Sequence, residues 1–366
     1  MNAQTLVSRI FALDKFDMRA SLNELGKQCA QAFEDADGVV IPKEFRRHTA
    51  VLIVGMGGSA LGADFIRNVY GDTLKRPIKI SMDYITPRWV SQDTLVVLSS
   101  YSGDTEETLA QAKSILERTN KVVAITCGGA LLEWCKKNHQ PVYVINPVHN
   151  PCGAPRLGIG YGMCGLLRIL VNAGDIKIAQ KDIAGVASFL DQRSLAFKTQ
   201  EEGEKYFEGR EGLELLKAIQ HLKNKMLIII AAEHLRGAGH ILNNYLHESA
   251  KVFSAYFFVP ECNHYMLESV ANFSDQMKNV LFLFLESALY HPKNQLRFKL
   301  TKQLFSQKKI DFITLSMEGS TKLLQACEAV QYGGYVAYFL ALQQGIDPTP
   351  IKVIQDFKKK MNEQGA

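Results

Sequence analysis

The stretch TAVLIVGMGGSA, residues 49–60, decides the fold of this chain. Its apolar run over residues 49–54 shows no alternation with polar residues, which is typical of a strand buried on both faces of a parallel sheet. The run ends at Gly55, and the apolar pattern over residues 60–69 predicts a helix directly after the glycine-rich turn. A buried strand, a tight turn and a helix form the first half of a βαβ unit.

The same alternation of strand and helix continues towards the C-terminus. The sequence predicts further strands of a first series at residues 78–82, 94–99, 121–126 and 141–146. A second series of predicted strands occupies residues 225–232, 252–258, 280–286 and 310–316. Two such series predict an α/β protein with two subdomains, each a parallel sheet flanked by helices in a doubly wound, flavodoxin-like arrangement.

Changes in this pattern divide the chain into five parts. Residues 1–47 have a helical pattern, and the stretch after residue 175 carries no clean strand and reads as a crossover between subdomains. The final part begins with Asp347-Pro348-Thr349-Pro350 and ends in a short basic helix. The predicted parts are an N-terminal helical segment, a first subdomain, a crossover linker, a second subdomain and a C-terminal tail helix, at residues 1–47, 48–175, 176–200, 201–345 and 346–366.

Composition excludes several classes of protein. The chain has 366 residues, 47% of them hydrophobic and 22% charged, which are ordinary globular values for about two domains. Its formal charge of +5 is too small to indicate a nucleic-acid partner but is compatible with a small anionic ligand. The longest apolar runs fall short of the roughly 20 residues of a membrane helix, and the N-terminus does not resemble a secretory signal. Seven cysteines without a CxxC pair indicate reduced thiols and a cytoplasmic location.

The first candidate site is the turn Gly55-Met56-Gly57-Gly58-Ser59. Glycines permit a close approach to the backbone, and free N–H groups at the start of the following helix favour an anion. The spacing Gly55-x-Gly57-x-x-Ala60 also fits a dinucleotide-binding fingerprint. Against that alternative, Asp83 comes too late in the chain to be the acidic residue expected about 20 positions further on. A tight turn with no ligand is the third interpretation.

The second candidate site is a strand-to-helix turn rich in hydroxyl groups, SSYSGDTEET, residues 99–108. The hydroxyls of Ser100, Ser102 and Thr105, together with helix N–H groups, suit a phosphate monoester bound without a metal. The alternative is that Asp104 and Glu107, three residues apart, form a capping box. Capping leaves the hydroxyls upstream of Asp104 unexplained, so the sequence favours phosphate binding.

Three further residues could carry proton chemistry. Arg156 follows a predicted strand and could stabilise an oxyanion or a phosphate, or be a surface arginine. Glu248 closes a predicted helix and His264 follows the next strand, so they could meet at the carboxyl edge of the sheet as a proton-transfer pair or be solvated separately. A zinc site is an alternative without a short, clean ligand spacing, and its candidate ligands are His240, His247, Cys262 and His264.

These motifs resemble a known family. The two turns and the Pro155-Arg156 pair resemble the sugar isomerase (SIS) domain. The second half is similar to the bifunctional phosphoglucose/phosphomannose isomerases, in which a Glu-x-x-Lys helix end precedes a Pro-Glu-x-x-His loop. In this chain the corresponding residues are Glu248 and Lys251, then Pro260, Glu261 and His264, followed by Tyr332-Gly-Gly-Tyr-Val336 and Gly345-Ile-Asp-Pro-Thr-Pro350.

The resemblance implies two SIS subdomains, a homodimer with a shared active site, and isomerisation without a metal or another cofactor. The substrates it implies are glucose 6-phosphate and mannose 6-phosphate, interconverted with fructose 6-phosphate. The family's base corresponds to Glu248, its ring-opening histidine from the partner subunit to His264, and its arginine beside the enediolate to Arg156. Its C-terminal lysine corresponds to Lys358, with Lys359 and Lys360 as alternatives. The family's phosphate site corresponds to Gly57, Gly58, Ser59, Ser100, Ser102 and Thr105.

Three other functions are compatible with parts of the sequence. A non-catalytic SIS module that senses a sugar phosphate would keep the hydroxyl-rich turns but would not need Glu248 and His264 at the family's spacing. An isomerase of another sugar phosphate would keep both. A nicotinamide-dependent oxidoreductase would use the first glycine turn alone and has no need of the second turn.

Overall fold

Two parallel β-sheets form the centre of the protein. The computed structural model describes residues 2–195, 197–209, 217–272 and 278–364. The strands of the first sheet, in the spatial order β2-β1-β3-β4-β5, are β1 (Ala50–Val54), β2 (Ile78–Ser81), β3 (Thr94–Ser99), β4 (Val122–Thr126) and β5 (Val142–Val144). Those of the second sheet, in the order β7-β6-β8-β9, are β6 (Met226–Ala232), β7 (Ser254–Val259), β8 (Val280–Glu286) and β9 (Phe312–Ser316).

Helices cover these sheets. In the first half of the chain they are α1 (Ala3–Leu13), α2 (Met18–Asn23), α3 (Leu25–Asp35), α4 (Gly58–Val69), α5 (Glu106–Ile115), α6 (Gly129–Lys137), α7 (Ile159–Ala173), α8 (Gln180–Asp191) and α9 (Gln200–Glu208). In the second half, apart from a helical stretch at residues 217–222, they are α10 (Arg236–Tyr245), α11 (Met266–Ala271), α12 (Pro292–Gln307), α13 (Lys322–Gln343) and α14 (Lys352–Gln364).

The first sheet is buried on both faces. Val51 and Ile53 of β1 belong to the large core that joins the two sheets, whereas Leu52 and Val54 pack in a smaller core on the opposite face. Neighbouring residues of a strand point to opposite faces, so a continuous apolar run is what two covered faces require. The expectation of parallel sheets flanked by helices is therefore confirmed.

Helix-to-helix contacts hold the two sheets together. The long helix α13 packs against α10 of the second half and against α2 and α8 of the first. Helices α4 and α10 also touch, and a Cβ built on Gly237 would lie 2.5 Å from the Cα of Phe65, so only glycine permits this approach. The carboxyl ends of β1 and β3 are thereby fixed relative to the end of α10.

The predicted elements correspond closely to the observed ones. The strands at residues 94–99 and 280–286 and the helix Lys322–Gln343 have the predicted bounds. Strands β1–β5 lie within residues 48–175 and strands β6–β9 within residues 201–345. The crossover contains a helix, α8, that was not expected. Within the described ranges, no helix has the length and apolar character needed to cross a membrane.

Candidate active site

The first glycine turn joins β1 to α4 and lies against the turn Pro155–Gly158, which carries Arg156. Gly57 has a positive φ of 50° and precedes the first residue of α4. A Cβ built on Gly58 would lie 3.6 Å from the Cα of Arg156, which shows how closely the two turns approach. The hydroxyl of Ser59 accepts a hydrogen bond of 3.2 Å from the backbone N–H of Tyr101, at the end of β3. The structure thus brings the first turn, the second turn and Arg156 to one edge of the sheet.

The hydroxyl-rich turn is held in a compact shape by its own side chains. Ser100 is buried, and its Oγ lies 2.7 Å from Oγ1 of Thr105 and accepts a hydrogen bond from the Gly103 N–H. Gly103 has φ 83°, and a Cβ there would lie only 1.8 Å from the carbonyl oxygen of Gly128, so no other residue fits. Ser102 is exposed and its hydroxyl accepts from the Asp104 N–H at 3.3 Å.

The capping-box alternative for this turn is wrong. Thr105 is the N-cap of α5, and Asp104 lies one position earlier. The Asp104 carboxylate instead accepts a hydrogen bond of 2.9 Å from the N–H of Ala130, at the start of the next helix, α6. Asp104 therefore joins the turn before α5 to the start of α6, and no side-chain hydrogen bond caps the start of α5.

Arg156 is buried, and the chain fixes its guanidinium in one orientation. Its Nε donates to the hydroxyl of Ser249 at 2.9 Å, and its Nη2 donates to the carbonyls of Pro348 and Thr349 at 3.0 and 2.7 Å. These two carbonyls belong to residues 347–350, which we name the proline loop. Three of the five guanidinium N–H groups are thus occupied, and Nη1 is the nitrogen that faces Glu248. Burial lowers the pKa of Arg156, and the Glu248 charge opposes that shift.

Glu248 lies on a π-helical turn, Leu246–Ala250, that continues α10. Its Oε2 is 3.8 Å from Nη1 of Arg156, close enough for an ion pair but longer than a hydrogen bond. The side chain of Glu248 is 23% exposed, whereas that of Arg156 is 4% exposed. The carboxylate is therefore partly open to solvent with a buried cation on one side, and no hydrogen-bond donor of the described residues occupies its oxygens.

A cavity of about 610 Å³ adjoins Glu248. Lys251 lines it and donates from Nζ to the carbonyl of Glu248 and, at 3.5 Å, to that of Pro348. Burial and the neighbouring Arg156 charge lower the pKa of Lys251 to about 8. The remaining lining comes from the π-helical turn, the residues between that turn and β7, the proline loop and its neighbours, and the start of α14. It includes His247, Phe253, Ile346 and Lys352.

Among the predicted site residues, all of which lie in the described ranges, only Glu248 lines this cavity; the catalytic candidates His264 and Lys358 are exposed. His264 ends the turn Glu261–His264 after β7, is exposed, and is not part of the cavity lining. Lys358 lies on the exposed helix α14, beyond the residues of that helix that line the cavity. The fold brings Glu248, Arg156, Ser59 and Ser100 to one region of the protein, whereas His264 and Lys358 lie on its surface.

The candidate zinc ligands do not converge. His240 stacks on Tyr256 and lies 3.0 Å from the Asp64 carboxylate, while His247 Nε2 lies 3.0 Å from the carbonyl of Ser254. Cys262 is buried, whereas His264 is exposed. Within the ranges that the structure describes, no group of three His, Cys, Asp or Glu side chains could hold a metal ion.

Comparison with known proteins places this arrangement in a family. Residues 216–361 match the bacterial phospho-glucose isomerase C-terminal SIS domain. The chain is 30% identical over 360 residues to a bifunctional phosphoglucose/phosphomannose isomerase of Caldicellulosiruptor bescii, covering 94% of this chain and 99% of the relative. The chain belongs to the bifunctional phosphoglucose/phosphomannose isomerase family. The relative of that name from Aquifex aeolicus is 25% identical, over 88% of this chain and 93% of its own length.

Solved structures share the fold of this phosphoglucose/phosphomannose isomerase family member at low identity. A hypothetical protein from Thermus thermophilus superposes with a TM-score of 0.70 and 14% identity, covering all of this chain and 94% of its own. A tagatose-6-phosphate ketose/aldose isomerase from Escherichia coli gives a TM-score of 0.62 and 16% identity, over 96% and 94% of the two chains. At these identities the likeness concerns the fold of two SIS subdomains.

Sequence analysis did not identify Ser249, and it named Lys251 and residues 347–350 without the roles that the structure gives them. Ser249 and the carbonyls of Pro348 and Thr349 orient Arg156, and Lys251 joins their loop to Glu248. Every residue has a backbone carbonyl, so the sequence could not show that those of Pro348 and Thr349 accept hydrogen bonds from Arg156. Lys251 did leave a signal, because it stands three residues after Glu248 at a helix end; that position is equally typical of a lysine beside a helix dipole.

Proposed function

We propose that this protein is an aldose–ketose isomerase that interconverts glucose 6-phosphate and mannose 6-phosphate with fructose 6-phosphate. One observation carries the proposal: the half-buried Glu248 carboxylate lies 3.8 Å from the buried, oriented guanidinium of Arg156. A carbon acid next to a carbonyl needs a base for its proton and a cation beside the oxyanion that forms. A sensor of sugar phosphates would need neither group.

The proposed reaction transfers one proton between two carbons. Starting from open-chain fructose 6-phosphate, Glu248 takes a proton from C1, and the electrons of that C–H bond form a C1–C2 double bond. The C2 carbonyl oxygen becomes an oxyanion beside Arg156. Glu248 returns the proton to C2, while the proton of the O1 hydroxyl passes to the C2 oxyanion, which gives the aldose with a C1 carbonyl and a C2 hydroxyl. Return to one face of C2 yields glucose 6-phosphate and return to the other yields mannose 6-phosphate.

The phosphate of the substrate binds, in this proposal, at the two turns. Gly57, Gly58 and Ser59 at the start of α4 provide backbone N–H groups and a hydroxyl. The second turn adds the hydroxyls of Ser100, Ser102 and Thr105 and the N-terminus of α5. Two helix N-termini favour a dianion without a metal. Phosphate binding remote from the reacting carbons holds the open chain in the reactive pose.

The function is tested by turnover of fructose 6-phosphate. We expect the purified protein, assayed in the presence of a chelator, to form both glucose 6-phosphate and mannose 6-phosphate, each followed with its own coupled enzyme. Free fructose lacks the phosphate and should be turned over poorly. Tight binding of fructose 6-phosphate without either product would instead identify a sensor. Formation of one aldose only, or of products from another ketose phosphate, would identify a different isomerase.

We also propose that the protein is a homodimer in which His264 of the second subunit completes the active site. We propose a cytoplasmic location for this dimer. His264 has no hydrogen bond or ion pair within the described residues and is absent from the cavity beside Glu248. Apolar side chains on α14 and beside the cavity are exposed, among them Val353 at 83%, Phe253 at 71% and Phe357 at 64%. An exposed apolar face of this kind favours a protein interface. Seven free cysteines support the cytoplasmic location.

The C-terminal lysine belongs to the same proposal. Lys358 shares helix α14 with the exposed Val353 and Phe357, so the contact that covers these apolar side chains also determines where Lys358 lies. We propose that Lys358 acts in the site once the dimer has formed. The neighbouring Lys359 and Lys360 are its alternatives.

Mixing two inactive variants tests the shared site. We expect Glu248→Gln and His264→Ala homodimers each to be impaired, and mixed dimers to regain activity because one of their two sites keeps both residues. The measurement is kcat after co-expression with two different tags and purification through both. His264→Ala mixed with wild type is the control for subunit exchange. If verified mixed dimers stay inactive, His264 does not act across the interface.

A further inference from the structure

Arg156 and Glu248 are joined through a third element, the proline loop. The carbonyl of Pro348 accepts from two cations: Nη2 of Arg156 at 3.0 Å and Nζ of Lys251 at 3.5 Å. Lys251 also donates to the carbonyl of Glu248, three residues earlier. The loop carbonyls therefore connect the arginine to the turn that carries the base, although residues 156 and 348 are far apart in the chain.

The backbone at Lys251 turns its side chain back towards the site. Lys251 ends the π-helical turn with φ 55° and ψ 34°, the left-handed region that a lysine rarely adopts. The helical backbone ends here, and Nζ of Lys251 donates to the carbonyl of Glu248, three residues earlier. An unfavourable backbone conformation persists where surrounding contacts require it, and such positions cluster at functional sites.

We propose that Lys251 and the proline loop are positioning elements of this site: the loop carbonyls fix the plane of the Arg156 guanidinium, and Lys251 holds the loop against the turn that carries Glu248. The proposal rests on the proposed isomerase function. It adds a residue that does not react with substrate but sets the separation of the two groups that do. In its absence we expect the loop to open and Arg156 to lose its fixed orientation.

The charge of Lys251 makes the arrangement sensitive to pH. A charged donor makes a stronger hydrogen bond to a carbonyl than a neutral one does. With its pKa lowered to about 8, Lys251 is protonated below that pH and loses its charge as the pH rises through it. We therefore expect kcat to fall above about pH 8. The charged and titratable groups around Lys251 are Arg156, Asp347, Glu248, His247 and Lys352.

The test compares Lys251→Met, Lys251→Arg and wild type across pH. Methionine keeps an unbranched side chain of the same length up to Cε but lacks the Nζ donor, so kcat should fall by about tenfold to 100-fold with little change in KM, as expected for misplaced catalytic groups. The alkaline decline should also disappear. Arginine stays charged at all accessible pH values, so Lys251→Arg should keep most of kcat and retain it above pH 8.

Lys121 offers a matched control. Its Nζ also bridges two backbone carbonyls, those of Arg47 and Gln92, each at 2.6 Å, at the opposite edge of the first sheet. Lys121→Met should lower thermal stability without changing the pH profile of kcat. If Lys251→Met keeps the wild-type kcat and its alkaline decline, the positioning role of Lys251 is refuted while the isomerase function stands.

A measurement that needs no turnover keeps the test independent of the proposed function. In Lys251→Met we expect the amide of Thr349, which donates to the Asp347 carboxylate at 3.0 Å, to exchange with solvent about tenfold faster, since one hydrogen bond from a charged group to this loop is lost. The amides of β8, away from the site, should exchange as in wild type. Unchanged exchange in the proline loop would overturn the inference whether or not the protein is an isomerase.

Discussion

Replacing Glu248 by glutamine should lower kcat for fructose 6-phosphate by about 10²–10⁴-fold, the usual contribution of a general base. Glutamine has nearly the same shape and still accepts a hydrogen bond, but it cannot take the proton from C1. Among the described residues the Glu248 carboxylate has no hydrogen-bond donor, and Arg156 approaches it only to 3.8 Å, so the substitution removes little from the folded structure. KM should change little, because the phosphate turns are untouched. The measurement is steady-state kinetics together with calorimetric binding of fructose 6-phosphate.

Glu268→Gln is the matched control for this variant. Glu268 lies in the same half of the chain, is exposed, and has no ion-pair partner in the described residues. The same change of charge there should leave kcat within about twofold of wild type, as is usual for surface substitutions. Full activity in Glu248→Gln would remove the base from the mechanism and leave only the phosphate turns in support of the function.

The architecture could be predicted from the sequence because buried parallel strands have a simple pattern. The runs at residues 50–54 and 95–98 are apolar throughout, and both belong to inner strands of the first sheet. The turns after them were predicted for the same reason, since glycines and hydroxyls that directly follow such strands must lie at one edge. This local logic explains why Ser59 and Ser100 are found near each other.

Helix α8 shows a signal that was available but not used. Its buried residues Ile183, Val186 and Leu190 are spaced three and four apart, which is the period of one helix face. The same period underlies the helical pattern predicted for residues 1–47, where Leu25, Cys29 and Phe33 are all buried on α3. The crossover has no strand pattern, but its sequence does have the period of a helix.

The orientation of the site could not be predicted, because it depends on contacts between distant segments. A helical pattern through residue 250 does not reveal that α10 gives way to a π-helical turn at Leu246, which sets the direction of the Glu248 side chain. Likewise, the hydrogen bonds of Arg156 to Pro348 and Thr349 join opposite ends of the chain through backbone carbonyls. Residue types identified the reacting groups, whereas only the folded chain determines how they face each other.

Replacing Arg156 by lysine should lower kcat by about 10²–10³-fold, the cost of losing one oriented donor to a developing oxyanion. The positive charge is kept, so a purely electrostatic role would tolerate the change. The guanidinium, however, reaches Ser249, Pro348 and Thr349 and still presents Nη1 towards Glu248. A lysine has three donors on one atom and cannot serve three fixed acceptors and the substrate together.

The same substitution should also reduce stability, by about 1–3 kcal/mol for each buried polar partner left unsatisfied. Arg76→Lys provides the control that separates the two effects. Arg76 donates to the Asp175 carboxylate at 2.7 Å and to the carbonyl of Arg46 at 3.1 Å, remote from the site. The Arg76→Lys variant should be less stable but keep the wild-type kcat, whereas the Arg156→Lys variant should be less stable and have a lower kcat. A value of kcat near wild type in Arg156→Lys would mean that charge alone suffices, and the fixed orientation of the guanidinium would then have no catalytic role.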